Sequence, residues 1–413
     1  MPTVIEAAAL IDVVQGRTID DAYVLIDGGL IAAWGPRHQR PPLPPETETI
    51  AFGRHSLVPG LINCHAHLCL PSQGQPFYRR QTDAMALLHA VRNMALEQHS
   101  GVTTVRDCGD QNGVLFTLRR AIDQGVLSGP RLVLCGPPLT MSGGHAHFLG
   151  GQADGTDGVT RAVRRRIADG ADFIKMIATG GGTPGSHPAH AAYSPAELEA
   201  ALVAAHRVGV PVAAHCRGTP GIDNALLAGV DHIEHACFEK PDGTLAFDPI
   251  VADRMARAGT FVTPTIQLYR DARAHLQAKA TEQPLAKAEA AYLERLPGLI
   301  EAKFEALQEF MRIGVAVVAG NDAGLPQTGF GCFWRELETF VAAGMTAMQA
   351  ISAATQTAAR ALGMEDCIGA IQTGRQADLL VVDGDPMADI TALARVRLVM
   401  QAGRVVYRRA AET

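Results

Sequence analysis

His65 and His67 stand one residue apart at the end of a short apolar run that begins at Pro59-Gly60-Leu61-Ile62. Alternate side chains of a strand share a face, so both imidazoles project one way and Ala66 the other. Two imidazoles side by side at a strand end suit a single divalent metal ion. Four further apolar runs carry residues of the same chemical class. Lys175 lies within Asp172-Phe173-Ile174-Lys175-Met176-Ile177, and His215 closes Val210-Pro211-Val212-Ala213-Ala214. His235 closes Asp231-His232-Ile233-Glu234, and Asp322 closes Val317-Val318-Ala319-Gly320-Asn321. Taken alone, such a histidine is more often a hydrogen-bonded structural residue, and such an aspartate a cap or turn former. Recurrence at several strand ends favours a metal centre, provided the fold brings those ends together.

Lys175 is the sharpest of these positions. A lysine inside a hydrophobic strand is expensive, because loss of water disfavours its charged form. A neutral amine can add carbon dioxide and become a carbamate, whose two oxygens can bridge two cations. Snorkelling or ion pairing of the lysine is the other reading of the same residue.

The elements that must position these groups follow a repeating phrase: a helical pattern, a glycine, then a short run rich in β-branched residues. It occurs at His99–Val105, Asp169–Ile174, Arg207–Val212, Leu227–His232, Arg257–Val262 and Arg312–Val317. Glycine just past a helix allows a left-handed C-terminal cap, and the strand-length run after it marks a βα unit with parallel pairing. With the runs at 57–63 and 130–135, about eight strands are predicted, which points to an α/β fold of the (β/α)8 barrel type. Its catalytic face would gather the C-terminal strand ends. An open doubly wound sheet is disfavoured because no GxGxxG follows the first strand. The chain ends read as β structure, with a hairpin signal at Asp27-Gly28-Gly29 and strand-like runs at 377–383, 396–400 and 405–407. Each flank is too short for its own core. Residues 1–56 plus 370–413 are therefore expected to form one composite β-sandwich beside a barrel at 57–369. Residues 270–312 read as helical and lengthen the connection before the eighth strand, as a lid or as a packing helix pair.

Composition limits the alternatives. With 47% apolar and 19% charged residues the chain resembles an ordinary globular enzyme. A formal charge of -6 gives no reason to expect nucleic acid or an anionic membrane surface as a partner. No apolar stretch approaches the roughly 18 residues of a membrane span, and the start lacks the pattern of an export signal, so a cytoplasmic location is expected. The eight cysteines are scattered without CxxC spacing, and none is expected to be a ligand. Strand alternation turns Cys64 and Cys216 away from their histidine neighbours.

His65-Ala66-His67, Lys175, His215, His235 and Asp322 resemble the binuclear metal centre of the amidohydrolase superfamily. Gly101-Val102-Thr103-Thr104-Val105-Arg106-Asp107, Ser142-Gly143-Gly144-His145 and the segment from Asp172 through Gly181 are similar to its imidazolonepropionase-related branch, which includes Xaa-Pro dipeptidases and ochratoxin-type amide hydrolases. The C-terminal phrase Gly369–Leu379 fits the same superfamily. The resemblance implies that His65, His67 and Asp322 bind one divalent ion, that His215 and His235 bind the second, and that carboxylated Lys175 bridges them. Zinc suits that ligand set. A metal-bridging hydroxide would attack the amide or peptide carbonyl of a small-molecule substrate, a dipeptide or N-acyl amino acid, and Asp322 would pass the proton to the leaving nitrogen. His145 would polarise the carbonyl. The branch also implies a homo-oligomer. Related dipeptidases tend to place a glycine and then a substrate-binding tyrosine after the sixth-strand histidine, but here the chain reads His235-Ala236-Cys237-Phe238. Arg217, Tyr193 and His187 are the candidate replacements for gripping a substrate carboxylate, and Arg217 has the best fork geometry. A mononuclear deaminase or cyclic-amide hydrolase is the alternative within the superfamily, and Lys175 argues against it. A non-catalytic scaffold should show substituted ligands, and these positions show none.

Overall fold

The computed structural model describes residues 1–71 and 81–410. Among these residues the strands, in chain order, are β1 (Thr3–Asp12), β2 (Arg17–Asp27), β3 (Leu30–Pro36), β4 (Glu48–Pro59), β5 (Leu61–Ala66), β6 (Val102–Asp107), β7 (Arg131–Leu134) and β8 (Ile174–Ile177). They continue as β9 (Val212–Gly218), β10 (His232–Glu239), β11 (Phe261–Thr263), β12 (Ala316–Val317), β13 (Leu379–Asp383), β14 (Val396–Gln401) and β15 (Arg404–Arg408).

The two chain ends meet in a seven-stranded sheet of order β15-β14-β13-β4-β1-β2-β3. C-terminal β13 runs antiparallel to β4, with Leu379 opposite Pro59 and Asp383 opposite His55. Neither flank buries its apolar side chains alone. Ile5, Leu10 and Val24 share a core with Leu379, Val381 and Leu398.

The middle of the chain supplies two parallel sheets, β5-β6-β7 and β8-β9-β10-β11-β12. They bond to each other at both outer edges. On one side Leu139 N donates to Lys175 O at 2.8 Å and Ile177 N donates to Leu139 O at 2.8 Å. On the other, Cys64 N donates to Ala319 O at 3.0 Å and Asp322 N to His65 O at 2.9 Å. The strands are almost wholly buried, as expected of parallel sheets covered on both faces. The helices between them end as the repeating phrase predicts, with Gly229 and Gly259 as left-handed C-caps at φ +89° and +71°. The predicted eighth strand is shorter than the sequence reads: β12 spans Ala316–Val317, and beyond it the chain bends so that Asp322 reaches φ +57°. The 270–312 segment is a helix pair, Gln267–Glu282 and Lys287–Ile313, packed together across the mouth of the parallel sheets. No helix of the described residues is long and apolar enough to cross a membrane.

Candidate metal centre and substrate cavity

The C-terminal strand ends open into a cavity of about 650 Å³, and all six residues expected as ligands line it. His65 Nε2 and His67 Nε2 lie 3.4 and 3.3 Å from the same oxygen, Asp322 Oδ1. The far ring nitrogens are held from behind. His65 Nδ1 donates to Glu234 Oε2 at 2.7 Å, and His67 Nδ1 donates to Gly109 O at 3.0 Å. His235 Nδ1 sits 2.8 Å from Thr265 Oγ1, whereas His215 reverses the choice and donates from Nε2 to Gly180 O at 3.1 Å. Each ring thus has one nitrogen anchored and the other open to the cavity, the arrangement that fixes tautomer and direction in a metal-ligating histidine. The rings are contiguous: centroids are 5.0 Å apart for His65–His235 and 4.6 Å for His215–His235.

His235 adopts φ +70° and Asp322 φ +57°, left-handed conformations that cost energy in residues with a Cβ. Both are held by neighbours. Lys303 Nζ donates to His235 O at 2.6 Å, and Asp322 N is tied to His65 O. The Lys175 side chain is buried, and among the described residues its Nζ has no hydrogen-bond partner. Glu234 Oε1 is 3.9 Å away. A buried ammonium with no hydrogen bond and only that distant carboxylate is costly. The orphaned nitrogen, four half-anchored imidazoles and an aspartate therefore fit a divalent metal centre, in which imidazoles and carboxylates are ordinary ligands.

The charges around the centre agree. Burial, then Lys175, lowers His65, and burial holds His215 and His235 well below their ordinary values, so these rings offer the lone pair a metal needs. Burial opposes protonation of His67 too, but Asp322 outweighs it and the ring ends raised. Burial would raise Asp322, yet His65 and His67 bring it to about 2. Glu234 was not singled out from the sequence. It accepts from His65 and from Arg106 Nη2 at 2.5 Å, and Arg106 Nε donates to Cys64 O at 2.6 Å. Burial would push the Glu234 carboxyl up, but Arg106, Lys175 and His65 hold it well below the usual range.

Cys108 also lines the cavity, its sulfur close to His65 and Glu234. Burial pushes its thiol to about 12, which leaves it protonated. Cys64 turns away and packs with Val318 and Ala358, and Cys216 lies within the main apolar core.

His145 lies beside His215, ring centroids 4.7 Å apart, with its Nδ1 2.8 Å from Thr183 Oγ1. A Cβ on Gly181 would stand 2.5 Å from its ring, so only glycine admits the imidazole there. Burial, then Arg217, lowers His145 to about 3 and keeps it neutral. Ala146 N donates to Thr183 Oγ1 at 3.1 Å. The hydroxyl proton can then go to His145 Nδ1, leaving Nε2–H as a donor towards the cavity.

The sequence pattern of the amidohydrolase family matches residues 56–406. The chain belongs to the amidohydrolase family. It is 27% identical to ochratoxinase from Aspergillus niger, over 94% of this chain and 82% of that protein. A crystal structure of a Xaa-Pro dipeptidase with bound methionine matches with a TM-score of 0.86 at 30% identity, covering 99% of this chain and 100% of that one. Imidazolonepropionase from Pseudomonas paraeruginosa is 22% identical over 90% of each chain. The chain is a hydrolase acting on the carbon–nitrogen bonds of amides or peptides, in the imidazolonepropionase-related branch of this family.

The residues expected to hold a substrate carboxylate separate in the structure. Arg217 lines the cavity, with Nη2 2.6 Å from Glu239 Oε2. Tyr193 does not line it: the ring is buried and its hydroxyl donates to Ala153 O at 2.9 Å. The reason is local. Tyr193 immediately precedes Ser194, the N-cap of helix Pro195–His206, and is drawn into the core with that helix. Replacing Tyr193 by phenylalanine is therefore expected to lower stability by about 1 kcal/mol and to leave KM as it was. Denaturant melts and steady-state kinetics would check both, and a raised KM would return Tyr193 to the site. His187 stacks on His190 at 4.4 Å and is not among the residues that line the cavity. Phe238, three residues beyond His235, packs among Phe247 and Phe310.

Proposed function

We propose that this amidohydrolase cleaves dipeptides or N-acyl amino acids with two divalent ions, zinc by ligand type, bridged by carboxylated Lys175. The observation that carries the reading is the buried Lys175 nitrogen, without a hydrogen bond among the described residues, in a ring of cavity-facing imidazoles. On this reading the two parallel sheets, bonded at both edges, are one (β/α)8 barrel at 57–369. The seven-stranded sheet is the β-sandwich built from 1–56 and 370–413, which β4 carries on to Pro59.

His65, His67 and Asp322 would hold one ion and His215 and His235 the other. When bound, such ions lower the pKa of water and polarise a carbonyl. The protein supplies the rest. Asp322 takes the proton of the attacking water and delivers it to the departing nitrogen. His145 donates Nε2–H to the carbonyl oxygen as it gains negative charge, and its neutrality lets it do so without a competing cation. Apolar walls at Leu70, Phe148 and Ile177 limit water around the reacting carbonyl.

Elemental analysis of protein purified without chelators, in bicarbonate, tests the proposal on wild type and Lys175→Ala. About two metals per chain, falling when the lysine is removed, is the expected result for a bridged pair. About one metal, indifferent to the lysine, would sink it and favour the mononuclear deaminase or cyclic-amide reading.

A further inference from the structure

We infer that Asn321 is a positioning residue, the centre of a buried amide relay that holds His65, Asp322 and one wall of the cavity as a single unit. The relay deepens the reading above, in which His65 and Asp322 serve one ion and Asp322 moves the proton, and rests on it.

Asn321 directly precedes Asp322, and Asn63 stands two residues before His65. Gln267 is the first residue of the mouth helix Gln267–Glu282. All three side chains are buried, none is among the residues that line the cavity, and their amides join in one line. Asn63 Nδ2 donates to Asn321 Oδ1 at 2.9 Å, Asn321 Nδ2 donates to Gln267 Oε1 at 3.2 Å, and Gln267 Nε2 donates to Asp271 Oδ2 at 2.8 Å. The direction of the line is set from both ends. His65 N can only donate, so the Asn63 oxygen faces it, at 3.2 Å, and the Asn63 nitrogen is left for Asn321. At the far end Asp271, paired with Arg335 at 2.9 Å, accepts. No amide between them can flip without setting donor against donor or acceptor against acceptor.

The relay acts where the main chain is strained. Asp322 sits at φ +57°, with its own N–H tied to His65 O at 2.9 Å. The side chain of the residue before it adds a second tie from the same turn to the strand of His65. Its other arm reaches a helix whose N-cap, Ile266, offers no side-chain cap. Glu336 fills that role, accepting from Ile266 N at 2.9 Å and Gln267 N at 2.5 Å. The next two residues of the helix, Leu268 and Tyr269, line the cavity, so a shift of Gln267 moves that wall. Asn63 Nδ2 also lies 3.5 Å from Glu97 Oε2, and Glu97 Oε1 accepts from Gly331 N at 3.2 Å, which brings in the segment beyond Asp322. Neutral hydrogen bonds of this kind add little net stability apiece, whereas each amide left unpaired in the core is costly. Leucine or methionine would fill the same space. What a fully satisfied line of amides adds is rigidity and a single arrangement.

Asn321→Leu, Gln267→Met and their combination test the relay. Tyr193→Phe is the comparator, since it loses a buried bond to Ala153 O that none of these elements makes. Hydrogen–deuterium exchange of the metal-free protein reads the coupling itself. Asn321→Leu is expected to speed exchange around 266–272 and Gln267→Met around 319–324, while Tyr193→Phe leaves both unchanged. Chelator competition reads the effect on the centre. Asn321→Leu should weaken divalent-metal binding by about 10- to 100-fold, as for other outer partners of ligands. Gln267→Met should weaken it less, although it touches no candidate ligand, and the combination should be no worse than Asn321→Leu alone, because both break one line. In metal-saturated enzyme Asn321→Leu should lower kcat with KM held, whereas Gln267→Met should raise KM. Unchanged exchange at the far segment in both single variants would overturn the relay. So would additive losses of metal affinity, or a loss of melting temperature alone of the kind expected for Tyr193→Phe. If Asn321→Leu does not fold, Gln267→Met decides, since it removes its bonds from outside the centre: metal affinity equal to wild type refutes the relay. A wild type that binds no divalent ion would refute the metal reading instead, and the exchange result would still count for or against the relay.

Discussion

Replacing His145 with alanine is expected to cut kcat by about 10²- to 10³-fold, the usual effect of removing one donor to a developing oxyanion, while metal content stays at the wild-type level. The two halves of that result separate catalysis from metal binding. His145 shares the cavity with the candidate ligands, yet its Nδ1 is engaged by Thr183, and it lies outside the cluster in which His65, His67 and Asp322 converge. A ligand would release metal when truncated. A donor leaves the centre loaded and slows only the chemistry. Steady-state kinetics beside elemental analysis of the same preparation reads both. Loss of metal in proportion to activity would make His145 a ligand instead, and Thr183→Val should follow His145→Ala in direction with a smaller loss.

The candidate ligands were legible in the sequence because each sits at the end of, or inside, an apolar run where its polarity is anomalous. The fold that gathers them was legible through the glycine-closed helix–strand phrase, and the structure keeps those strands within a few residues of their expected bounds. What period-two reasoning could not foresee is the left-handed turn at His235. Strict alternation along His232-Ile233-Glu234-His235 places Glu234 and His235 on opposite faces. With φ at +70°, and a register shift against β9 just after it, both side chains reach the centre. Glu234 and Arg106 carried the same anomaly as Lys175, a charge inside a β-branched or apolar strand. Their meaning depends on each other, and the pairing joins positions 128 residues apart in sequence. The same is true of the flanking strands, where β-structure was readable but the contact of β13 with β4 was a property of the whole chain. Tyr193 failed as a candidate for a related reason: its loop position was visible, but the pull of the neighbouring helix into the core was not.

Substituting Glu234 by glutamine should lower stability by about 3–5 kcal/mol, because it strips the counter-ion from a buried cation, and should weaken metal binding by about 10- to 100-fold, because it removes an outer partner of a ligand. Glu234 is fully buried and holds Arg106 Nη2 with one oxygen and His65 Nδ1 with the other. The first contact bears on folding and the second on the direction of the His65 ring. A double variant distinguishes them. Glu234→Leu with Arg106→Met replaces both buried charges by apolar groups, and such exchanges are often neutral or better for stability. It should recover most of the lost melting temperature. His65 would still lack its anchor, so metal affinity, measured by chelator competition, should stay low. Recovery of both properties together would mean that the carboxylate acts only by neutralising Arg106. Recovery of neither would mean that the pair supports the strand ends themselves, through the bond from Arg106 Nε to Cys64 O that precedes His65 by one residue.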